Sequence, residues 1–504
     1  MSSPTADGLH FASTAGRWAI AATVAGSAVA QITGTVVNVA LPDIARGLDA
    51  GTTGVQWILN AYMLTLASLI LIGGALGDRF GRRRVYLLGT VIFGASSVAA
   101  ALAPTLGVLL AARAVMGVGG ALLTPGSLAI LEASFVKDDR AAAIGAWSGL
   151  GGVAAAIGPL LGGVILDVAG WRWLFVLNVP VCVLAIIWTT RHLPESTDPD
   201  ATAHHIDWAG TVTGALGLGL LTYGLIGLGG GVSLTGVTIV VAGAAVLALF
   251  VETQRRGEAP LVPPSMFADR VFVIANALTF VVYAALGGVF FLLVVFLRQV
   301  LGYSGFEAGA ATLPVTLLMF ALSARSGRLS NQIGPRIPLT VGPLLLAGGM
   351  LLFGQLDDGS SYTTGVLPGV LLFGFGLVCL VAPVTATVLA AADERRAGLA
   401  SGVNNAVART AGLIAVAVLP VAAGLGPDAL ESVTALTDGF GQAMTICAGL
   451  AVAGAALAAV GLPGSLSVSR RDDRVPEAHE HPHTSVDCPA PARRDLARAG
   501  TDQP

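Results

Sequence analysis

Gly74-Ala75-Leu76-Gly77-Asp78-Arg79-Phe80-Gly81-Arg82-Arg83-Arg84 sets five charges among eleven residues of an otherwise apolar chain. Its spacing returns as Gly327-x-Leu329-x-Asn331-x-x-Gly334-x-Arg336. Apolar runs of roughly 20 residues flank both stretches, the length a helix needs to cross a hydrocarbon core. Each stretch reads as a loop that follows the second span of a block of six. Two homologous halves are implied.

The composition agrees. Of 504 residues, 54% are hydrophobic and 11% charged, and mean hydropathy is +0.79. Soluble domains carry about a quarter charged residues. Apolar spans are expected near 19–41, 56–76, 85–102, 106–130, 141–166, 173–190, 208–228, 233–250, 271–297, 306–324, 338–356, 365–389, 398–421 and 440–462. They are continuous and rich in Ala, Leu, Val and Gly, without the period-two alternation of barrel strands. The 66 glycines suit helices that pack closely in lipid. The expected fold is an all-α polytopic membrane protein with two six-helix bundles and two inserted helices. Its parts are an N-terminal tail (1–18), an N-terminal bundle (19–192), an inserted pair (193–255), a C-terminal bundle (256–464) and a disordered tail (465–504).

Cations set the expected orientation. Arg79, Arg82, Arg83, Arg84, Lys137, Arg140, Arg191, Arg255, Arg256, Arg270, Arg325, Arg328, Arg336, Arg395 and Arg396 fall in alternate loops, whereas the other loops hold Arg46, Arg172 and Arg298. Positive loops stay inside, so both termini are expected in the cytoplasm of a plasma (inner) membrane. Lys137 is the single lysine, a codon bias that points to a GC-rich bacterium. Arg17 and Ala28-Val29-Ala30 mimic a signal peptide, but the apolar run continues past them, so the first span reads as retained. Cys182, Cys379 and Cys447 lie in spans and Cys488 in the tail, which gives no disulfide framework.

Further motifs follow in order: Thr35-Val36-Val37-Asn38-Val39-Ala40-Leu41-Pro42, Leu109-x-x-x-Arg113-x-x-x-Gly117, Gly158-Pro159-Leu160-Leu161-Gly162-Gly163, Trp171-Arg172-Trp173-x-Phe175-x-x-Asn178-x-Pro180 and Leu301-Gly302-Tyr303-Ser304-x-x-x-Ala308-Gly309. With them the chain resembles the major facilitator superfamily, and within it the fourteen-helix drug:proton antiporter branch. The resemblance covers all the spans. It implies a secondary exporter in which two bundles rock to expose a central site to each side in turn. It also implies that Gly74, Asp78, Arg79, Gly81, Arg82 and Arg83 belong to a conformational gate. The Gly158, Pro159, Gly162 and Gly163 motif is associated with export, although Ala154 stands where a glycine is common.

The residues support parallel readings. Asp78 can pair with a neighbouring Arg or a helix N-terminus, or simply belong to a charged loop that sets topology. Arg113 lies within a span, where an isolated cation costs about 2.5–3.5 kcal/mol on insertion scales. It either handles substrate or protons in a cavity or posts one helix to another's carbonyls. Arg409, beside Asn404 and Asn405, raises the same alternatives. Gly158-Pro159 with Gly162-Gly163 permits a bend and close packing. Gln31, Thr33, Asn38, Asn60, Tyr62, Asn276, Tyr283, Asn404 and Asn405 are cavity candidates.

Thr33 occupies a first-helix position where that branch often carries an acid, and Met116 replaces a common Gln. Asp43, Glu132, Asp167 and Glu307 all sit towards span ends. Glu132, nearest the inner end of the fourth span, is the best candidate to substitute as proton carrier, and Arg113, Glu132 and Arg409 are the transport and coupling candidates. Sparse polarity favours a lipophilic small-molecule substrate with the proton as coupling ion. Uptake of a metabolite without antiport, or a non-transporting sensor, is the alternative. No catalytic cluster, cofactor, metal site or nucleic-acid partner is expected. His204-His205 and His479-x-His481-x-His483 fall in polar stretches, and Gly227–Gly231 lacks the Lys that a phosphate-binding loop needs.

Overall fold

Apolar runs in a membrane must close every backbone hydrogen bond within themselves, and helices do so. The computed structural model describes residues 8–197, 207–231, 233–257, 260–392, 397–426 and 432–464. His204, His205, Arg395, Arg396 and everything from residue 465, with its histidines and Cys488, lie outside the described residues, as do the side chains of Lys137, Ala154 and Asn331. Among the described residues the only extended pairing is a bridge between Leu9 and Phe135.

The elements are α1 (Thr14–Gly47), α2 (Thr52–Phe80), α3 (Arg82–Ala101), α4 (Leu106–Ser134) and α5 (Lys137–Ala169). The sixth span is divided into α6 (Arg172–Val176) and α7 (Asn178–His192). Next come α8 (Trp208–Gly227), α9 (Leu234–Arg256) and α10 (Arg270–Gln299). The tenth span is divided into α11 (Gly305–Ala311) and α12 (Leu313–Ile333). The chain continues through α13 (Arg336–Phe353), α14 (Leu367–Ala390), α15 (Ala397–Ala422) and α16 (Val433–Gly461). Thirteen helical segments among the described residues are long and apolar enough to cross a bilayer, and the described apolar part of α5, Ile157–Ala169, adds to them. Ser13, Thr105, Asp207, Ser233, Asp269 and Ser432 cap helix starts by accepting backbone N–H bonds that would otherwise go unmet.

Large apolar side chains point outward: Leu234, Val168 and Val460 are more than 80% exposed. In water such surface would be a liability, but against lipid it is matched. Small residues meet inside. A Cβ on Gly89 of α3 would lie 2.9 Å from the Gly119 carbonyl of α4, and one on Gly349 of α13 would lie 2.9 Å from the Gly369 carbonyl of α14. The third and fourth helices of each group are thus joined by the same device.

In the first group α1 packs on α5 and α7, α2 on α4, and α3 on α4 and α7. In the second, α10 packs on α15 and α16, and α14 on α12 and α13. The groups meet through α1 with α10, α2 with α15, and α5 with α11 and α12. First meets first, second meets fifth, and fifth meets second, the pairing two related bundles make about a pseudo-two-fold axis. The α8–α9 hairpin leans on α2 and α15, with the Trp57 and Tyr223 rings 6.0 Å apart.

The charged stretch is less of a loop than its composition suggests. Helix α2 runs through Phe80, and α12 continues to Ile333 rather than ending near 324. Nothing before Gly81 or Gly334 prevents a helix, and each of these glycines ends it with a positive φ, 108° and 82° respectively. The two reversals occupy the same position in the repeat. Helix α1 likewise runs beyond both expected limits, beginning after the Ser13 cap and passing through Pro42.

Candidate functional site

A helix facing a polar path must carry its polar residues on one side. On α1, Gln31 is exposed, a Cβ on Gly34 would meet nothing within 4 Å, and Asn38 is half-buried. These positions follow helical spacing along one face. On α15 the same pattern holds for exposed Asn405, half-buried Arg409 and Gly412, where a Cβ would again meet open space. Arg409 stands at the middle of α15, the helix that packs on α2 of the first group and on α10 of the second.

Other candidates are engaged in packing. Arg113 is 1% exposed; its Nε donates to the Ile58 carbonyl on α2 at 2.9 Å and its guanidinium carbon lies 4.7 Å from the Tyr62 ring centroid. Tyr62 in turn donates to the Ala30 carbonyl on α1. Thr33 is buried and donates to Asn178 Oδ1 at 3.1 Å, and Asn178 Nδ2 donates to Ser97. Asn404 Nδ2 donates to Asn276 Oδ1 at 3.2 Å and Thr279 Oγ1 at 2.8 Å, while Asn405 bonds its own helix at the Ser401 carbonyl. Asn60 is fully buried, and neither amide atom has a hydrogen-bond partner among the described residues. Glu132 is exposed at the Arg-rich end of α4 and joins none of the ion pairs among the described residues.

At the end opposite the Arg-rich turns, the groups are tied together. Asp43 accepts from Arg46 at 2.6 Å and from Arg298, at the end of α10, at 2.7 Å. Asp167, at the end of α5, accepts from the backbone N–H groups of Gly305 and Phe306, each at 2.8 Å. Helix α11 starts there with a capping box in which Ser304 and Glu307 bond reciprocally. Gly163 packs on the Gly305 carbonyl and Gly309 on the Pro159 carbonyl, whereas Gly158 and Gly162 face Thr35 and Val36 of α1. The Gly-Pro motif therefore joins α5 to both groups at once.

Gln56 adds a tie that the sequence reading missed. Pro420 lacks an N–H, so it leaves the Val416 carbonyl without its helical partner. Gln56 Nε2 of α2 donates to that carbonyl at 2.9 Å and to Ala417 at 3.3 Å. Pro420 within an apolar run signals the orphaned acceptor; its partner 360 residues away has no local signal.

At the Arg-rich end, Arg82 Nε donates to Asp78 at 2.8 Å, Arg83 donates to the Thr190 carbonyl at 2.7 Å, and the Arg83 backbone N–H donates to Glu195 at 3.0 Å. Arg84 pairs with Glu195 at 3.6 Å, and Arg79 lies over the Phe80 ring. Gly74 is half-buried at the same end of α2. Asp78, Arg82, Arg83 and Glu195 thus hold the α2–α3 turn to the end of α7 within the first group.

Residues 23–417 match the family described as the Major Facilitator Superfamily. The chain is 35% identical over 388 residues to Multidrug resistance protein Stp of Mycobacterium tuberculosis, covering 76% of this chain and 71% of that one. It is 35% identical over 409 residues to Puromycin resistance protein pur8 of Streptomyces alboniger, covering 80% of each, and 32% identical over 420 residues to Drug efflux pump JefA of Mycobacterium tuberculosis, covering 81% of each. Among solved structures, a bacterial homolog to the human lysosomal transporter Spinster superposes with a TM-score of 0.64 at 17% identity, over 89% of this chain and 97% of that one. A D-xylose-proton symporter gives 0.63 at 17% identity, over 88% and 97%. These structural likenesses speak to the fold.

Proposed function

Because the chain belongs to the major facilitator superfamily, we propose that it is a drug-efflux transporter, a secondary exporter of small organic molecules working by alternating access. It is a multi-pass membrane protein, and a transporter rather than an enzyme. The observation that carries the mechanism is the closed end: Asp43 with Arg298, Asp167 with α11, and Gln56 with α15 join the two groups on one side of a path lined by Gln31, Asn38, Asn405 and Arg409. Relatives named for multidrug resistance and drug efflux over most of their length support outward transport. In this reading residues 19–192 and 256–464 are the two rocking bundles, and 193–255 supplies the lateral hairpin. In the same reading the Arg-rich turns and both termini face the cytoplasm of the plasma membrane, an orientation that the cation asymmetry supports.

The proton is the coupling ion in this proposal. Thr33 offers no carboxylate to carry it. Asp43 and Asp167 do, and protonating them would weaken two of the ties that close the outer end. Everted vesicles with an imposed pH gradient test the function against a panel of dyes and antibiotics. Substrate-dependent collapse of the gradient is expected, whereas substrate movement with no proton flux would remove the coupling claim. Arg113→Ala should abolish flux while the protein stays in the membrane at normal abundance. Unchanged flux would take Arg113 out of the mechanism.

A further inference from the structure

Arg409 differs from Arg113 in having no hydrogen-bond or ion-pair partner among the described residues. Arg113 is fully buried, bonded to Ile58 and laid over Tyr62. Arg409 is half-buried, and among the described residues it takes part in no ion pair. No Asp or Glu occurs between Asp358 and Asp393 or between Glu394 and Asp428, so α14 and α15 bring no carboxylate to mid-height; Asp43 and Asp167 are engaged at the closed end. A cation in a span is tolerated when it faces water or a partner. The face of α15 that carries Arg409, Gly402-Asn405-Arg409-Gly412, turns towards both groups: a Cβ on Gly402 would lie 3.1 Å from Leu71 of α2, and a Cβ on Gly287 of α10 would lie 2.8 Å from the Gly412 Cα, so Arg409 faces the path and not lipid. Asn405 and Gly412, one turn to either side, leave room beside it.

Resting on the exporter reading above, we infer that Arg409 is the anion-binding group of the path and that the substrate is an amphipathic organic monoanion, typically a carboxylate. One accessible guanidinium matches one carboxylate through its planar fork. A polyanion would need several cations and a cationic drug would need an acid at this depth; among the described residues α14 and α15 bring no carboxylate to mid-height, and Glu132 stands at the Arg-rich end of α4. Half-buried Tyr283 on α10, the helix that α15 packs against, suits a hydrophobic body attached to that charge. The charge also bears on direction, because a membrane potential negative inside favours the outward movement of an anion.

A matched set of probes tests this: 4-(pyren-1-yl)butyrate, its methyl ester and 4-(pyren-1-yl)butylamine. Binding is read by fluorescence with purified protein in nanodiscs, and uptake is read in energised everted vesicles. The acid should bind roughly tenfold tighter than the ester and the amine, the scale of one charge-assisted hydrogen bond. Arg409→Gln should abolish that preference and Arg409→Lys should keep most of it, each variant first checked for monodisperse elution and an unchanged melting temperature. Should Arg409→Gln fail that check, the wild-type ranking and the Arg409→Lys variant still decide. Equal binding of the three probes by the wild type, or a preference that survives Arg409→Gln, would overturn the inference. Uptake of all three probes without regard to charge would refute the anion site and leave export standing. Acid-selective binding with no uptake of any probe would support the site and count against export.

Discussion

At the scale of single residues, two glycines with opposite surroundings make opposite predictions. Gly81 sits at φ 108°, and a Cβ there would lie 2.6 Å from the Glu195 carboxylate that anchors the turn. Alanine at that position is strained twice, once by the backbone and once by the contact. Gly81→Ala should cost about 1–3 kcal/mol and lower the melting temperature. Gly107, near the start of α4, has an ordinary φ and nothing within 4 Å of a Cβ. Gly107→Ala should be neutral or stabilise by about 0.4–1 kcal/mol, because alanine loses less freedom on folding. Thermal unfolding in detergent, followed by tryptophan fluorescence, compares the two. A Gly81→Ala protein as stable as wild type would remove the turn's special geometry from the account. The same scale clarifies Thr33: its buried hydroxyl donates to Asn178 on the sixth span, a helix-to-helix contact and not an open cavity group.

At the scale of elements, the spans and their order were legible because apolar length and charged turns are local properties. The Ser304-x-x-Glu307 capping box was also open to reading, since both partners lie within one turn. Less legible was the secondary structure of the charged motif, where helices persist up to Gly81 and Gly334 because glycine at Gly74, Gly77 and Gly327 does not break a packed helix. Least legible were the ties between groups. Asp43 and Arg298 are 255 residues apart, and only the assembled bundles decide that they meet. Gln56 and Pro420 are a case of the same kind with a measurable consequence. Gln56→Leu takes the side-chain donor from the Val416 carbonyl and should cost about 1–3 kcal/mol. Pro420→Ala restores an N–H for that carbonyl, so the double variant should be less destabilised than the sum of the singles, with a coupling of about 0.5 kcal/mol or more. Additive melting shifts across the four proteins would show that Gln56 does not serve the carbonyl freed by Pro420.

At the scale of the whole molecule, alternating access requires that the ties at one end be strong enough to close it and weak enough to release. Neutral surface between helices in lipid supplies little bias, because lipid tails are as apolar as leucine. The bias therefore rests on a few polar contacts. Both Asp167 oxygens accept backbone N–H bonds from α11, and both Asp43 oxygens accept from arginines, Arg46 and Arg298. Neutralising these carboxylates removes the charge assistance and one acceptor from each, which is the change a proton arriving from outside would make. Asp43→Asn with Asp167→Asn should then shift the population towards the outward-open form. A single cysteine reports it: Gly34→Cys, which the open space beside α1 accommodates, in a background lacking Cys182, Cys379, Cys447 and Cys488. An impermeant thiol reagent applied to intact cells should label that cysteine slowly in the otherwise wild-type protein. The double asparagine variant should be labelled at least fivefold faster, corresponding to about 1 kcal/mol of lost closure. In the otherwise wild-type protein, lowering the external pH should raise the labelling rate in the same direction once corrected for thiolate content; in the double variant it should have little further effect. Equal rates in the two proteins at both pH values would mean that the closed end is held by Gln56 and the glycine contacts alone, and that proton entry must act elsewhere.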